Sequence, residues 1–152
     1  MRMLFNEMDV NSTIKAAGYS GTPLAKKLGI KSGFHIKLVN VPDYYFNLFD
    51  DMPPDLGFKD EVGIKEDLIH FFTKQENEFT STLPLLKQQI KPNGIIWVSW
   101  PKKSSKVVTD ITEETIRNYA LKIGLVDIKV CAVDEIWSGL KLVIPLKDRP
   151  FC

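Results

Sequence analysis

The stretch from Lys91 to Ser105, Lys-Pro-Asn-Gly-Ile-Ile-Trp-Val-Ser-Trp-Pro-Lys-Lys-Ser-Ser, constrains the fold more than any other part of the chain. It turns at Pro92-Asn93-Gly94, runs apolar through Ile95, Ile96, Trp97 and Val98, and breaks at Pro101 into paired lysines and serines. An unbroken apolar run rich in β-branched and aromatic side chains is the pattern of a strand covered on both faces. Strands of that kind belong to α/β sheets, where the polar loops at their carboxyl ends are held still and meet ligands.

The rest of the chain supplies the partners. Leu68-Ile69-His70-Phe71-Phe72 is a second run of the same type, and Ile36, Leu38 and Val39 mark an earlier strand within Phe34 to Val41 that stops at Pro42. Thr22-Pro23 is a helix start for Leu24 to Leu28, and Gly29 is its stop. Asp43 to Phe49 reads as a short helix, and Leu56 to Lys59 as a brief edge strand weakened by Gly57. From about Gln75, Phe79, Leu83, Leu86 and Ile90 recur at helical spacing, with Pro84 predicting a kink or restart capped by Ser81 or Thr82. Asp110-Ile111-Thr112-Glu113-Glu114 opens a further helix whose buried stripe is Ile116, Tyr119, Ala120 and Ile123, ended by Gly124. Val126 to Val133 and Leu140 to Leu146 are strands, and the short connection from Asp134 to Gly139 makes them an antiparallel hairpin.

Strands alternating with helices give an α/β class protein: a single three-layer, Rossmann-like domain with a mostly parallel sheet and a C-terminal antiparallel hairpin. The domain is expected over residues 17–146, preceded by an arm at 1–16 and followed by a tail at 147–152. A chain of 152 residues buries about 70% of its unfolded surface without disulfide or metal. Lys and Arg number 20 against 19 Asp and Glu, a balance that argues against a dedicated nucleic-acid binder. Cys131 and Cys152 lie far apart, as in reducing compartments, and no apolar run reaches the ~20 residues of a membrane span. The reading is a cytoplasmic protein with no membrane partner.

Two resemblances accompany these patterns. The helix, Lys-Pro-Asn-Gly turn and strand from Leu83 to Val98, with the closing hairpin, resemble the corresponding unit of class I S-adenosylmethionine-dependent methyltransferases. Gly18-Tyr19-Ser20-Gly21-Thr22-Pro23-Leu24-Ala25 with Lys27-Leu28-Gly29-Ile30, Trp97-Val98-Ser99-Trp100-Pro101-Lys102-Lys103, and Val130 to Leu140 resemble a bacterial domain-of-unknown-function family over about Ala17 to Ile144. The first resemblance implies a fold, and fold alone does not give function. The second implies no activity, because the family has no established biochemistry.

A methyltransferase places a glycine-rich turn after its first strand, where the backbone approaches the cofactor. Here that position reads Asn40-Val41-Pro42-Asp43-Tyr44-Tyr45, without glycine and with a proline that removes a donor. The ribose-holding acid at the end of the next strand would be Asp60 or Glu61. S-adenosylmethionine is therefore disfavoured, and no cofactor is predicted.

Parallel strands at Gly94 to Trp100 and Val126 to Val133 would bring the Lys102-Lys103-Ser104-Ser105 loop beside Asp134-Glu135-Ile136-Trp137, with Thr73, Lys74 and Asn40 on the same edge. One reading is an anion pocket with Lys102 or Lys103 as charge, Ser104 and Ser105 as donors, and Trp100 or Trp137 as a stacking wall. The other is a structural ion pair from Lys103 to Asp134 or Glu135. Tyr19, Ser20 and Thr22 form a secondary candidate, since they open a helix whose amides can hold an anion. His35 and His70 fall inside strands and read as core residues, Cys131 as an inert thiol, and Glu76, Glu78, Glu113 and Glu114 as first-turn acids serving the helix dipole. No catalytic or metal residue is assigned. The expected function is a binding or accessory module for a small anionic ligand or a protein partner. The alternative is a transferase acting on a phosphorylated or nucleotide-like ligand at the same rim. Edge strands near Leu56 and at the last strand leave self-association open.

Overall fold

The apolar runs do form the centre of a sheet. In the computed structural model, which describes residues 21–150, the strands are β1 (Ile36–Val39), β2 (Glu66–Phe72), β3 (Ile90–Pro101), β4 (Val126–Ala132) and β5 (Trp137–Val143). They make a single five-stranded mixed sheet in the order β1-β2-β3-β5-β4. β1, β2 and β3 pair in parallel, with Leu38 opposite His70 and His70 opposite Trp97, while β5 runs antiparallel to both β3 and β4. The last strand is therefore interior, and the edge exposed at that side is β4, contrary to the expectation from chain order.

Side-chain alternation divides the core. Ile69 and Phe71 of β2, with Ile96, Val98 and Trp100 of β3, pack against the helices α2 (Glu76–Lys87) and α3 (Glu113–Lys122). Leu68 and Phe72, with Trp97, pack on the opposite side against α1 (Leu24–Leu28) and Tyr45. Burying an aromatic or branched side chain of this kind contributes about 1.5–3 kcal/mol.

α1 ends where Gly29 adopts φ 82°. The indole N–H of Trp97 donates to the carbonyl of Leu28 at 2.8 Å, pinning that helix end to the sheet. Pro84 lies inside α2 and neither stops nor restarts it. A helical proline orphans the carbonyl four residues earlier, and here the hydroxyl of Tyr119 on α3 donates to that carbonyl, Thr80, at 2.9 Å. The Lys-Pro-Asn-Gly turn likewise lies within β3, as an irregularity between its pairings to Glu66 and Leu68. Only glycine fits at 94, because a Cβ there would stand 2.8 Å from that of Ile90 and 3.0 Å from the Glu66 carbonyl.

Asp43 to Phe49 forms a 3-10 turn over Tyr45–Leu48. The expected strand at Leu56 to Lys59 reduces to one isolated bridge between His35 and Gly57. Among the described residues, no helix is long and apolar enough to cross a membrane.

Candidate functional site

The carboxyl ends of β1, β2 and β3 meet one edge of the sheet, beside the start of β5. A cleft of about 250 Å³ opens there, lined by Asn40, Phe72, Thr73, Lys74, Gln75, Glu78 and Trp137. Asn40 turns the chain out of β1 with φ 58°, a left-handed conformation that asparagine tolerates better than most residues. The buried Thr73 hydroxyl donates to one oxygen of Glu78 at 2.6 Å, and the Asn40 amide donates to the other at 3.2 Å. Glu78 is thus held across the cleft mouth, beyond its place in the first turn of α2. Trp137, 8% exposed, meets Phe72 edge to face at 4.9 Å and closes one wall.

The strand-end loop and the hairpin tip are neighbours, since the amide of Lys102 donates to the carbonyl of Ile136 at 2.7 Å. Of the residues expected in the loop from Trp100 to Ser105 and in the hairpin tip from Asp134 to Trp137, however, only Trp137 lines the cleft, beside Asn40, Thr73 and Lys74. Trp100, 7% exposed, faces the α2 and α3 side and offers no stacking surface at the rim. The Ser105 hydroxyl closes its own 3-10 turn, donating to the Lys102 carbonyl at 2.6 Å and accepting from the Val107 amide. Ser104 and Lys103 are exposed in the same turn.

Asp134 forms no ion pair with Lys103. One of its oxygens accepts from the amides of Ile136 and Trp137 at 2.8 and 2.7 Å, and the other from the Tyr44 hydroxyl at 2.9 Å. Burial and the hydrogen bond to Asp134 hold the Tyr44 hydroxyl above its ordinary pKa. Glu135 is exposed and makes no ion pair among the described residues.

Thr22 does not cap α1, whose first amides at Ala25 and Lys26 donate instead to the Asp51 carboxylate, both at 3.0 Å. The anion-holding role imagined for this helix start is filled by the protein's own side chain. Tyr19 and Ser20 lie outside the described residues, as does the whole of the arm at 1–16.

Lys102 extends elsewhere. Its charge acts on Lys27 and on Cys131, together with that of Lys129. The Lys27 ammonium donates to the Ala132 carbonyl at 3.1 Å. Burial lowers the Lys27 pKa, Cys131 opposes the shift, and Lys102 and Lys129 add to it. Burial raises that of Cys131 against the pull of the three lysines.

His70 proves to be the centre of a buried chain. Fully buried, it meets the Tyr45 hydroxyl through Nδ1 at 2.9 Å and the Ser99 hydroxyl through Nε2 at 2.8 Å. Burial lowers its pKa to about 3 and raises that of Tyr45. The set resembles a nucleophile and base in connectivity, yet Ser99 is 0% exposed, so no substrate atom reaches it. His35 sits at the opposite end of the sheet, paired with Glu66 at 2.7 Å, and the two histidines do not meet.

No strand of the sheet lies between β1 and β2, so Asp60 and Glu61 have no strand end from which to hold a ribose. No protein-family model and no curated protein matches the sequence, so the bacterial family that the motifs resemble gains no support from that side. Solved structures do match. The chain is similar to a ribosomal protein L11 methylase from Lactobacillus delbrueckii (TM-score 0.52, 10% identity, 79% of this chain and 74% of that one). It is also similar to a magnesium protoporphyrin IX methyltransferase from Synechocystis with bound SAM (0.51, 11%, 80% and 74%). A third is an S-adenosylmethionine-dependent methyltransferase from Clostridium acetobutylicum (0.51, 9%, 79% and 87%). The protein has a methyltransferase-like fold. At such identities the likeness extends to the fold alone.

Proposed function

We propose that the protein is a small ligand-binding module that uses a methyltransferase-like fold without its glycine-rich cofactor turn, and that its site is the strand-end cleft. The observation that carries this reading is Glu78, held across the cleft by Thr73 and Asn40 and facing Trp137. Clefts at the carboxyl ends of strands in open α/β sheets are where ligands bind. Lys74 at the mouth takes a phosphate or carboxylate, while the Glu78 carboxylate and the Asn40 side-chain carbonyl accept from a hydroxyl or amine at the other end of the ligand. Pro42, which has no amide donor, and the absence of a strand to carry Asp60 or Glu61 count against S-adenosylmethionine in this cleft.

The second reading, a transferase acting on a phosphorylated or nucleotide-like ligand, uses the same cleft and is favoured by the fold of the similar enzymes. A thermal-shift screen with inorganic phosphate, nucleotides, S-adenosylmethionine and S-adenosylhomocysteine separates the two, since a ligand specific to the native state raises its melting temperature by mass action. The expected result is a shift with a phosphorylated compound that Lys74→Ala abolishes, and none with S-adenosylmethionine. A reproducible shift with S-adenosylmethionine or S-adenosylhomocysteine establishes the second reading instead. No shift with any of these ligands overturns both.

A further inference from the structure

The sheet face beneath α1 carries a row of lysines that the cleft does not use. Lys129 on the edge strand β4 is the direct cross-strand partner of Lys141 on β5. Cys131 and Gly139 continue the same face toward the strand ends. Lys27 reaches that end through its bond to Ala132, Lys102 follows from the strand-end loop, and Lys31 lies just beyond α1.

Among the described residues, the charges that act on Lys141 are those of Lys129 and Lys31, and those that act on Cys131 are Lys27, Lys129 and Lys102. The ion pairs formed among the described residues use His35, Lys37, Lys91 and Arg117, so Lys31, Lys102, Lys129 and Lys141 have none.

Like charges placed directly opposite on an antiparallel pair destabilise it. A lysine on an edge strand is a common guard against edge-to-edge pairing, which accounts for Lys129. It does not account for Lys141, whose strand is interior, nor for the convergence of Lys27 and Lys102 on the same face.

We propose that this face binds the sugar-phosphate backbone of single-stranded nucleic acid without reading its sequence. From the level of Trp137 to that of Lys141 is four strand steps, or about 14 Å at 3.4 Å each. A row of that length outreaches a single phosphate and suits a chain of them. Lysine offers point charges without the planar fork that arginine uses on base edges, which fits contact with phosphates alone. Trp97 and Trp137 on this face are buried, so base stacking adds little and the binding is electrostatic, with steep salt dependence. The overall balance of charge is compatible with this, because of the two acids at the adjoining hairpin tip Asp134 is engaged by the amides of Ile136 and Trp137 and by the Tyr44 hydroxyl, which leaves Glu135 as the exposed carboxylate there. The proposal is independent of the cleft and of what the cleft holds.

The test is fluorescence anisotropy with a labelled oligouridylate 12-mer, titrated with the protein at potassium chloride concentrations between about 50 and 200 mM. Four phosphate contacts give a slope of log K against log salt of about −2.8, and Lys129→Ala/Lys141→Ala reduces its magnitude by about 1.4 and weakens binding at low salt by about tenfold. Lys37→Ala, which removes a lysine paired with Asp60 on the other side of the sheet, leaves the affinity unchanged. Absence of binding at low salt, or equal weakening by Lys37→Ala, overturns the proposal. Displacement of the oligonucleotide by poly-glutamate at the same charge concentration as by unlabelled oligouridylate also overturns it, since the face would then fit acidic protein segments equally well.

Discussion

The two ends of the sheet treat charge differently. At the amino end, Glu66, only 3% exposed, pairs with His35 at 2.7 Å, and Asp67 accepts the His35 amide and pairs with Lys91 at 2.8 Å. Lys65 caps the Gln88 carbonyl at 2.5 Å, and Lys37 reaches Asp60. At the carboxyl end, Lys74, Lys102, Lys103 and Lys106 have no ion-pair partner among the described residues. Of the acids nearby, Asp134 is engaged by the hairpin amides and Tyr44, and Asp110 by the Glu76 amide at 2.7 Å, while Glu135 is exposed. Charges matched inside the fold hold the fold together. Charges left unmatched add no such pairing to the fold.

The largest effect is expected between the two ends, at His70. In the unfolded chain its imidazole takes a proton near pH 6.5, whereas in the fold burial defers this to about pH 3. Between those values the unfolded state binds one more proton, so stability is intact above pH 6.5 and is lost as pH falls toward 3. The slope approaches about 1.4 kcal/mol per pH unit, and urea denaturation at successive pH values measures it. His70→Gln should flatten this part of the curve while lowering stability at neutral pH. An unchanged slope would place the acid sensitivity elsewhere.

The next effect tests the comparison directly. Glu66→Ala strips His35 of its partner in a nearly buried site and should cost about 2 kcal/mol. Lys102→Ala/Lys103→Ala, at the unmatched end, should change stability by less than about 0.5 kcal/mol. Comparable losses from the two variants, read as urea midpoints, would break the contrast between the ends.

What sequence revealed and what it hid follow the range of the interactions involved. Leu68 to Phe72 and Ile95 to Trp100 were legible as strands because burial on both faces leaves an unbroken apolar run. Gly29 was legible as a helix stop because the conformation it takes is local. The shared edge of Asn40, Thr73, Lys74 and Trp137 followed from strand direction. The restart offered as one outcome at Pro84 does not occur, and the hydroxyl that satisfies the carbonyl orphaned by it comes from Tyr119, 39 residues away. The Lys-Pro-Asn-Gly turn misled because a bulge accommodates it within β3. Glu78 read as a helix-dipole acid, and its bonds to Thr73 and Asn40 appear only once β1 and β2 are side by side. A threonine five residues before a first-turn glutamate was the available signal. The insertion of β5 between β3 and β4 is likewise a matter of long-range pairing, and with it comes the meeting of Lys129 and Lys141.

That meeting supports the smallest effect and the one most specific to this molecule. If the lysine face is kept for an external partner, removing its charges should not weaken the free protein. Lys129→Ala/Lys141→Ala relieves a like-charge pair on adjacent strands and should raise stability by about 0.5 kcal/mol at low salt, a difference that disappears at high ionic strength because the pair is screened. The pH dependence gives an independent check. The Lys141 pKa is lowered from 10.5 by burial, then by Lys129 and Lys31, so the folded state releases this proton before the unfolded state does. The penalty is present below the lowered pKa and fades as pH rises through it toward 10.5, and the gain from the variant should fade with it. Thermal melts across salt and alkaline pH measure both trends. A double variant less stable than the wild type at low salt would show that the lysine stems contribute packing that outweighs their repulsion, and the face would then belong with the structural charges of the amino end.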